Sequence, residues 1–150
     1  MGNICRSPTA EGLFRELVQR RGWNGRVIVD SCGTHGYHVD RPPDSRAVAA
    51  ARRRGVDIAT LRARRIDAAD FSRFDFLLAM DRDNLAALQA RIPRGGGVRA
   101  QLFLEFAPHL GVTEVPDPYY GVDDGFETVL NLIEHAAEGL MDHLEREFLR

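Results

Sequence analysis

The chain has 150 residues, of which 44% are apolar and 28% charged, which is enough apolar material for one domain with its own core. A net charge of −2 excludes a strongly basic nucleic-acid binder. No apolar run approaches the ~20 residues of a membrane span, and the chain does not start with a hydrophobic signal segment. Two cysteines form neither a disulfide framework nor a four-ligand zinc site, so we expect a cytoplasmic protein.

Apolar periodicity predicts helices that alternate with short strands. The first helix begins at Ser7 and Pro8, because Ser caps a helix and Pro fits its first position, and Gly22 ends it. The further elements are a strand over Arg26–Asp30, a loop over residues 33–43, a helix over Asp44–Arg54, a strand over Phe74–Met80, a helix over Asp81–Ala90, a strand over Val98–Phe106, a loop over residues 113–121 and a helix from Gly125 to the end. This alternation predicts an α/β sandwich around a parallel sheet.

The segment GNICRSP, from Gly2 to Pro8, is a short loop that leads into a helix N-terminus. Such a loop binds anions because its free N–H groups and the helix dipole favour negative charge. Arg6 adds a planar guanidinium that holds two phosphate oxygens at once, and Asn3 tolerates a left-handed backbone. On these residues alone, an ordinary capped helix with a surface arginine remains an alternative.

A second motif, PDPYYG, places Asp117 between two prolines. The stiff backbone of this segment suits a positioned proton donor. The adjacent Tyr119 and Tyr120 suit the wall of a pocket for a flat aromatic group. A rigid turn with surface tyrosines is the alternative here.

Together these motifs resemble the low-molecular-weight protein tyrosine phosphatases over nearly the whole chain. The resemblance is carried by GNICRSPTAEG, DSCGTHGYHV, RPPDSRA, ARRIDAADFSRFDFLLAMDRDNL and PDPYYG. It implies a single phosphatase domain over residues 1–150 and a three-layer α/β/α sandwich with a four-stranded parallel sheet. It also implies hydrolysis of tyrosine-phosphorylated proteins through a cysteinyl-phosphate intermediate, with phosphate bound in the loop and with no metal, cofactor, nucleic acid or membrane partner.

The resemblance assigns catalytic roles to Arg6, which stabilises charge on the phosphoryl oxygens, and to Asp117, which donates a proton to the leaving oxygen. The phosphate-binding loop it implies comprises Met1, Gly2, Asn3, Ile4, Cys5, Arg6 and Ser7. Hydrogen bonds of Asn3, Ser7 and Ser31 hold that loop in shape. The aromatic pocket is lined by Tyr37, Tyr119 and Tyr120.

The chain departs from the family signature, which is Cys, five residues, Arg, and then Ser or Thr. Counted back from Arg6, the cysteine position falls directly ahead of Met1. We therefore expect residues 1–150 to lack the nucleophile and the family's first strand, and Met1 to be internal to a longer protein. Cys5 matches a second cysteine of the family loop, and Cys32 is interpreted as a packed thiol. A chain without the nucleophile is expected to be inactive.

Three alternatives to this function remain. A non-catalytic module that binds phosphate or phosphotyrosine fits residues 1–150 without a nucleophile. An arsenate reductase relative needs further cysteines to pass on a disulfide, which Cys5 and Cys32 do not supply. A protein-arginine phosphatase typically has Thr where Ile4 stands, so Ile4 favours phosphotyrosine.

Two further kinds of polar residue are assigned no role in the site. The loop histidines, such as His38, lack the partners of a metal site, and Asp81 is interpreted as a solvated helix start.

Overall fold

The computed structural model describes residues 2–119 and 124–149, so the predictions for Met1 and Tyr120 lie outside the described residues. Its helices are α1 (Arg6–Arg20), α2 (Ser45–Arg52), α3 (Asp70–Arg73), α4 (Arg82–Gln89) and α5 (Asp124–Glu147). Its strands are β1 (Phe76–Ala79) and β2 (Arg99–Leu102), and 3₁₀ turns follow at Phe103–Phe106 and Pro108–Leu110. None of the described helices is long and apolar enough to cross a membrane.

The first helix begins one residue earlier than predicted. Arg6 is its first residue, and no side chain caps it. Ser7 therefore does not cap the helix as the sequence predicted, and its hydroxyl accepts a hydrogen bond from Asn3 instead. The predicted end is confirmed: Gly22 has a φ of 71°, and Trp23 donates to the Val18 carbonyl at 3.0 Å, as in a Schellman motif.

The two strands form a parallel pair in which Phe76 is opposite Arg99 and Ala79 is opposite Leu102. Successive side chains of a strand point to opposite faces of the sheet. Leu77 and Ala79 accordingly pack in an apolar cluster with α4, whereas Leu78 packs against the larger cluster formed mainly by α1, α2 and α5. The helices thus cover both faces of the sheet, which confirms the α/β sandwich.

The strand predicted over Arg26–Asp30 is not paired in a sheet. This stretch has only an isolated bridge between Asn24 and Val27. The physical reason is that a cavity of about 470 Å³ lies between this stretch and β1, so neither has a strand neighbour on that side. The strand predicted over Val98–Phe106 is also shorter than expected, because the chain turns into a 3₁₀ helix at Phe103.

The last helix packs its apolar face on α1, α2 and the first 3₁₀ turn. Ile133, Ala136 and Ala137 on that face are fully buried. The approach to the 3₁₀ turn is close at Gly139, where a Cβ would overlap the carbonyl group of Phe106. Glycine is required there by contact and not by backbone conformation.

Candidate functional site

Asn3 holds the loop of residues 2–7, the anion loop, in its shape. Its φ of 63° is left-handed, a conformation that asparagine tolerates better than most residues. Its side chain is buried and donates to the hydroxyls of Ser7 at 2.7 Å and Ser31 at 3.0 Å. It also accepts from the N–H of Arg64 at 3.0 Å. The structure therefore brings together Asn3, Ser7 and Ser31, which the sequence proposed as the residues that hold this loop.

The hydrogen bonds continue from the loop into the first helix. Ser31 donates to the carboxylate of Glu11 at 2.7 Å, and Glu11, which is buried, forms an ion pair with Arg15 at 2.6 Å. On the other side of the loop, the carbonyl of Ile4 accepts from the N–H of Asp44 at 2.8 Å. The loop is thus fixed from two sides by groups distant in sequence.

The backbone N–H groups of residues 3–7 donate to no acceptor within the described ranges. They are the free donors of a helix N-terminus and its preceding loop. Free donors of this kind, together with the positive end of the helix dipole, bind anions.

Arg6 is the buried cation of the site, with a side chain only 4% exposed. One guanidinium nitrogen, Nη1, donates to Asp81 at 2.7 Å and to the carbonyl of Val115 at 2.8 Å. The other, Nη2, lies 3.9 Å from the carboxylate of Asp117. The guanidinium is thus fixed by one nitrogen while the second faces the proposed proton donor, so the structure brings Arg6 and Asp117 together.

The carboxylates around Arg6 differ in their surroundings. Burial works to raise the pKa of Asp81, but hydrogen bonds from the N–H of Asn84 and from Arg6 lower it below its ordinary value of 3.8. Asp81 therefore stays ionised beside the cation. Asp117 is a third exposed, and its second oxygen accepts from the N–H of Tyr119 at 3.0 Å, which orients the carboxyl group.

Both cysteines are protonated thiols at neutral pH. Burial, reinforced by the carboxylates of Asp44 and Asp117, raises the pKa of Cys5 to about 12. Burial also raises the pKa of Cys32 to about 11. Because the thiolate is the nucleophilic form, these raised pKa values lower the reactivity of both thiols at neutral pH.

The described aromatic residues Tyr37 and Tyr119 both line the cavity at the anion loop, but their exposure differs. Tyr37 is 71% exposed and stacks on His35, with ring centroids 5.2 Å apart. His38 instead contacts Gly2 of the anion loop, and its ring lies 6.0 Å from that of Tyr119. Arg46 donates to the carbonyl of Tyr119 at 2.9 Å. The described aromatic wall beside the loop is therefore His38 and Tyr119.

Sequence reasoning missed two residues of this site. Asp81 does begin α4, where it accepts from the N–H of Asn84, but it is also the partner of Arg6, and its side chain is 21% exposed. Its place directly after the apolar run of β1 was the available signal, since sites in parallel α/β sheets lie at the carboxyl ends of strands. His38 carried no such signal. In the described part of the chain, no group of three His, Cys, Asp or Glu side chains is arranged to hold a metal ion.

The sequence and the fold are similar to those of known proteins. The family model described as low molecular weight phosphotyrosine protein phosphatase matches residues 1–149. A curated relative, the putative low molecular weight protein-tyrosine-phosphatase slr0328 of Synechocystis, is 38% identical over 99% of this chain and 95% of its own length. The crystal structure of a protein tyrosine phosphatase from Entamoeba histolytica, with Hepes in the active site, matches with a TM-score of 0.93 and 37% identity, over 97% of this chain and 93% of that one. An arginine phosphatase of Drosophila matches with a TM-score of 0.89 and 29% identity, over 98% of this chain and 95% of that one. The chain therefore belongs to the low molecular weight phosphotyrosine protein phosphatase family and is, by family, a protein-tyrosine phosphatase.

Proposed function

We propose that the anion loop binds the phosphoryl group of a phosphotyrosine and that Arg6 and Asp117 carry out their parts of a cysteinyl-phosphate hydrolysis. The observation that carries this proposal is the fixed guanidinium of Arg6, whose Nη2 lies 3.9 Å from Asp117 at the mouth of the loop. A phosphoryl group there meets free N–H donors, a buried cation and a carboxyl group that transfers protons.

In the proposed reaction, a cysteine thiolate attacks phosphorus and forms the S–P bond. The bond from phosphorus to the tyrosine oxygen breaks, and that oxygen takes the proton of Asp117. Water then attacks the phosphocysteine and gives a proton back to Asp117, which releases phosphate and restores the thiolate. Arg6 and the loop N–H groups of residues 1–7 hold the equatorial oxygens in both steps, with Met1 assigned from the resemblance alone.

We further propose that residues 1–150 do not themselves supply the thiolate. The support is that the pKa of Cys5 is raised to about 12 and that of Cys32 to about 11, so that neither is ionised at neutral pH. On this proposal the 150-residue chain binds phosphate and phosphotyrosine without turning over. Turnover by the 150-residue chain would contradict this proposal, and binding without turnover supports it.

The proposed substrate is a tyrosine-phosphorylated protein. Tyr119 supplies an aromatic surface beside the loop on which a phosphotyrosine ring stacks, and Tyr120 is assigned to the same pocket from the resemblance alone. His38 extends that surface, because its ring lies 6.0 Å from Tyr119. The exposed Tyr37 is available to contact the rest of the substrate. An aliphatic phosphoserine offers no ring for these contacts, so we expect weaker binding of phosphoserine than of phosphotyrosine.

Calorimetric titration of the 150-residue chain with phosphate and with phosphotyrosine tests the binding step. We expect both to bind and Arg6→Lys to weaken binding about tenfold, since an ammonium group cannot form the bidentate contact of a guanidinium. Arg20→Lys is the matched control, because Arg20 is 67% exposed and pairs with Glu16 on the surface of α1. Unchanged affinity in Arg6→Lys contradicts the assignment of Arg6.

Hydrolysis of p-nitrophenyl phosphate tests the catalytic step. We expect no turnover by the 150-residue chain and none by its Cys5→Ser or Cys32→Ser variants. Turnover that disappears in Cys5→Ser identifies Cys5 as the nucleophile and overturns the proposal that the thiolate comes from elsewhere. Calorimetric titration with phosphoarginine, compared with phosphotyrosine, separates the proposed substrate from that of the arginine phosphatase relative.

A further inference from the structure

Two histidines, His109 and His135, form a pair on the surface of the molecule. Nε2 of His109 lies 3.5 Å from Nδ1 of His135, and the centroids of the two rings are 5.3 Å apart. Both residues are exposed. Neither of them lines the cavity at the anion loop, so the pair is separate from the candidate site described above.

The separation of the two rings is close to that of two ligands on one tetrahedral zinc ion. Zn–N bonds of about 2.0–2.1 Å at tetrahedral angles place two imidazole nitrogens about 3.3 Å apart and the two ring centres about 5.2 Å apart. Neighbouring positions on a square-planar or octahedral ion would bring the nitrogens to about 2.9 Å. The observed distances of 3.5 Å and 5.3 Å therefore favour Zn²⁺ among the ions that imidazole binds.

The backbone around His109 is fixed on both sides. His109 is the middle residue of the 3₁₀ turn Pro108–Leu110, and this turn follows Ala107, which is fully buried. Leu110 donates its N–H to the carbonyl of Ala107 at 3.1 Å and packs against the larger apolar cluster. Rotation about the side-chain bonds of His109 is therefore the only movement that its ring needs to reach an ion.

His135 is held at a matching position on α5. The next two residues along the helix, Ala136 and Ala137, are fully buried. One turn further along, Gly139 approaches the carbonyl of Phe106 so closely that a Cβ does not fit, and Phe106 is three residues ahead of His109. The two elements that carry the histidines are thus packed directly on each other, so little conformational entropy is lost when an ion binds both rings.

We propose that His109 and His135 form a binding site for one Zn²⁺ ion, with Nε2 of His109 and Nδ1 of His135 as its ligands. In the neutral pair, one of these nitrogens carries the proton of the hydrogen bond between them. Transfer of that proton to the other nitrogen of the same ring frees both facing nitrogens to bind the ion, with no change in charge. Within the described residues, no third His, Cys, Asp or Glu joins the pair, so water completes the tetrahedron.

The bound ion links two parts of the chain that are 26 residues apart. It binds the 3₁₀ turn to α5 in the native state, whereas an unfolded chain does not hold the two rings at this distance. Zinc is therefore expected to stabilise the native state by mass action. Neither histidine has a part in the proposed phosphatase reaction, so the two proposals fail separately.

Calorimetric titration of the 150-residue chain with ZnCl₂, in a buffer without phosphate, tests the proposal. We expect one ion to bind in the micromolar range, and His109→Gln and His135→Gln each to weaken its binding tenfold or more. The losses are expected not to add in the double variant, because one ion needs both ligands. His35→Gln is the control, since His35 contacts Thr34 and Tyr37 instead, and is expected to bind the ion as wild type does.

The ring C–H signals of the histidines in a proton NMR spectrum provide a second measurement, which separates this pair from the cysteines and the loop histidines. We expect ZnCl₂ to shift the signals of His109 and His135 together, and to raise the melting temperature of wild type but not of His109→Gln. The proposal is overturned if His109→Gln or His135→Gln binds the ion as tightly as wild type, or if only the signals of other histidines shift.

Discussion

The two edges of β1 differ in how completely they are packed. On one edge, β2 pairs along the whole strand from Phe76 to Ala79. Beyond β2, the 3₁₀ turn at Phe106 contacts α5 so closely that a Cβ at Gly139 does not fit. On the other edge lies the cavity of about 470 Å³. Packing is therefore closer on the β2 side of β1, and the anion loop, which lines the cavity, is held mainly by the side-chain hydrogen bonds of Asn3.

The largest loss of stability is expected for a substitution on the β2 side of β1. Gly139→Ala places a methyl group against the carbonyl of Phe106, and we expect a loss of about 3 kcal/mol in the free energy of unfolding, at the upper end of overpacking costs. Urea unfolding measures it. Gly97→Ala is the control, because its Cβ meets no neighbour within 4 Å, and we expect no loss there. Equal stability of the two variants contradicts the asymmetry between the edges.

The second-largest loss of stability is expected for a substitution at Asp81, where the carboxyl end of β1 meets the anion loop. Asp81→Asn removes the charge from the partner of the buried Arg6, and we expect a loss of about 2 kcal/mol, as for hydrogen bonds to charged groups. Hydrogen bonds lower the pKa of Asp81 in the folded state below 3.8. Its stabilising contribution is therefore complete above about pH 4 and disappears as the pH falls through the lowered pKa.

Urea unfolding at several pH values measures this contribution. The difference between wild type and Asp81→Asn is expected to be constant from about pH 5 to pH 7 and to narrow below about pH 4. Asp83→Asn, in the first turn of the same helix, is the control. If the difference in stability between wild type and Asp81→Asn widens below about pH 4, the assignment of the ion pair between Arg6 and Asp81 is wrong.

Asn3 is expected to stabilise the anion loop through both its backbone conformation and its side chain. Asn3→Ala loses three hydrogen bonds and places a Cβ in the left-handed region, whereas Asn3→Gly loses only the hydrogen bonds. We expect Asn3→Ala to be less stable than Asn3→Gly by about 1 kcal/mol in thermal unfolding. Equal stabilities would show that the left-handed φ carries no cost in this loop.

The smallest effect on stability is expected at the open edge. Ala10→Leu adds three carbons to a wall of the cavity, and we expect the free energy of unfolding to rise or to change by less than about 1 kcal/mol, as cavity-filling substitutions do. Urea unfolding compares it directly with Gly139→Ala, a smaller addition of volume. A larger loss for Ala10→Leu than for Gly139→Ala would show that the cavity does not have the space described.

Among the described helices, α1, α2, α4 and α5 could be predicted from the sequence because their signals are local, whereas the single-turn helix α3 was not predicted. Gly22 and Gly55, both with positive φ, end or follow helices where expected, and Asp44 caps α2. Asn3 and Arg6 could be predicted as residues of the anion loop from the local sequence pattern and from the resemblance. The position of Asp81 directly after β1 was a local signal for the site, but its pairing with Arg6 spans 75 residues and could not be predicted from either residue alone. Whether Arg26–Asp30 pairs as a strand depends on a neighbouring strand, which hydrophobic periodicity does not identify.

The buried guanidinium of Arg6 has a consequence for the order of folding. Its partners Asp81 and Val115 lie 75 and 109 residues further along the chain, so the anion site has a high contact order. Contacts of this range form late, after the local helices. A partly folded chain with α1 already formed thus has no fixed guanidinium and does not bind phosphate. Phosphate affinity then reports completed folding of the whole chain, and added phosphate shifts the equilibrium toward that state by mass action.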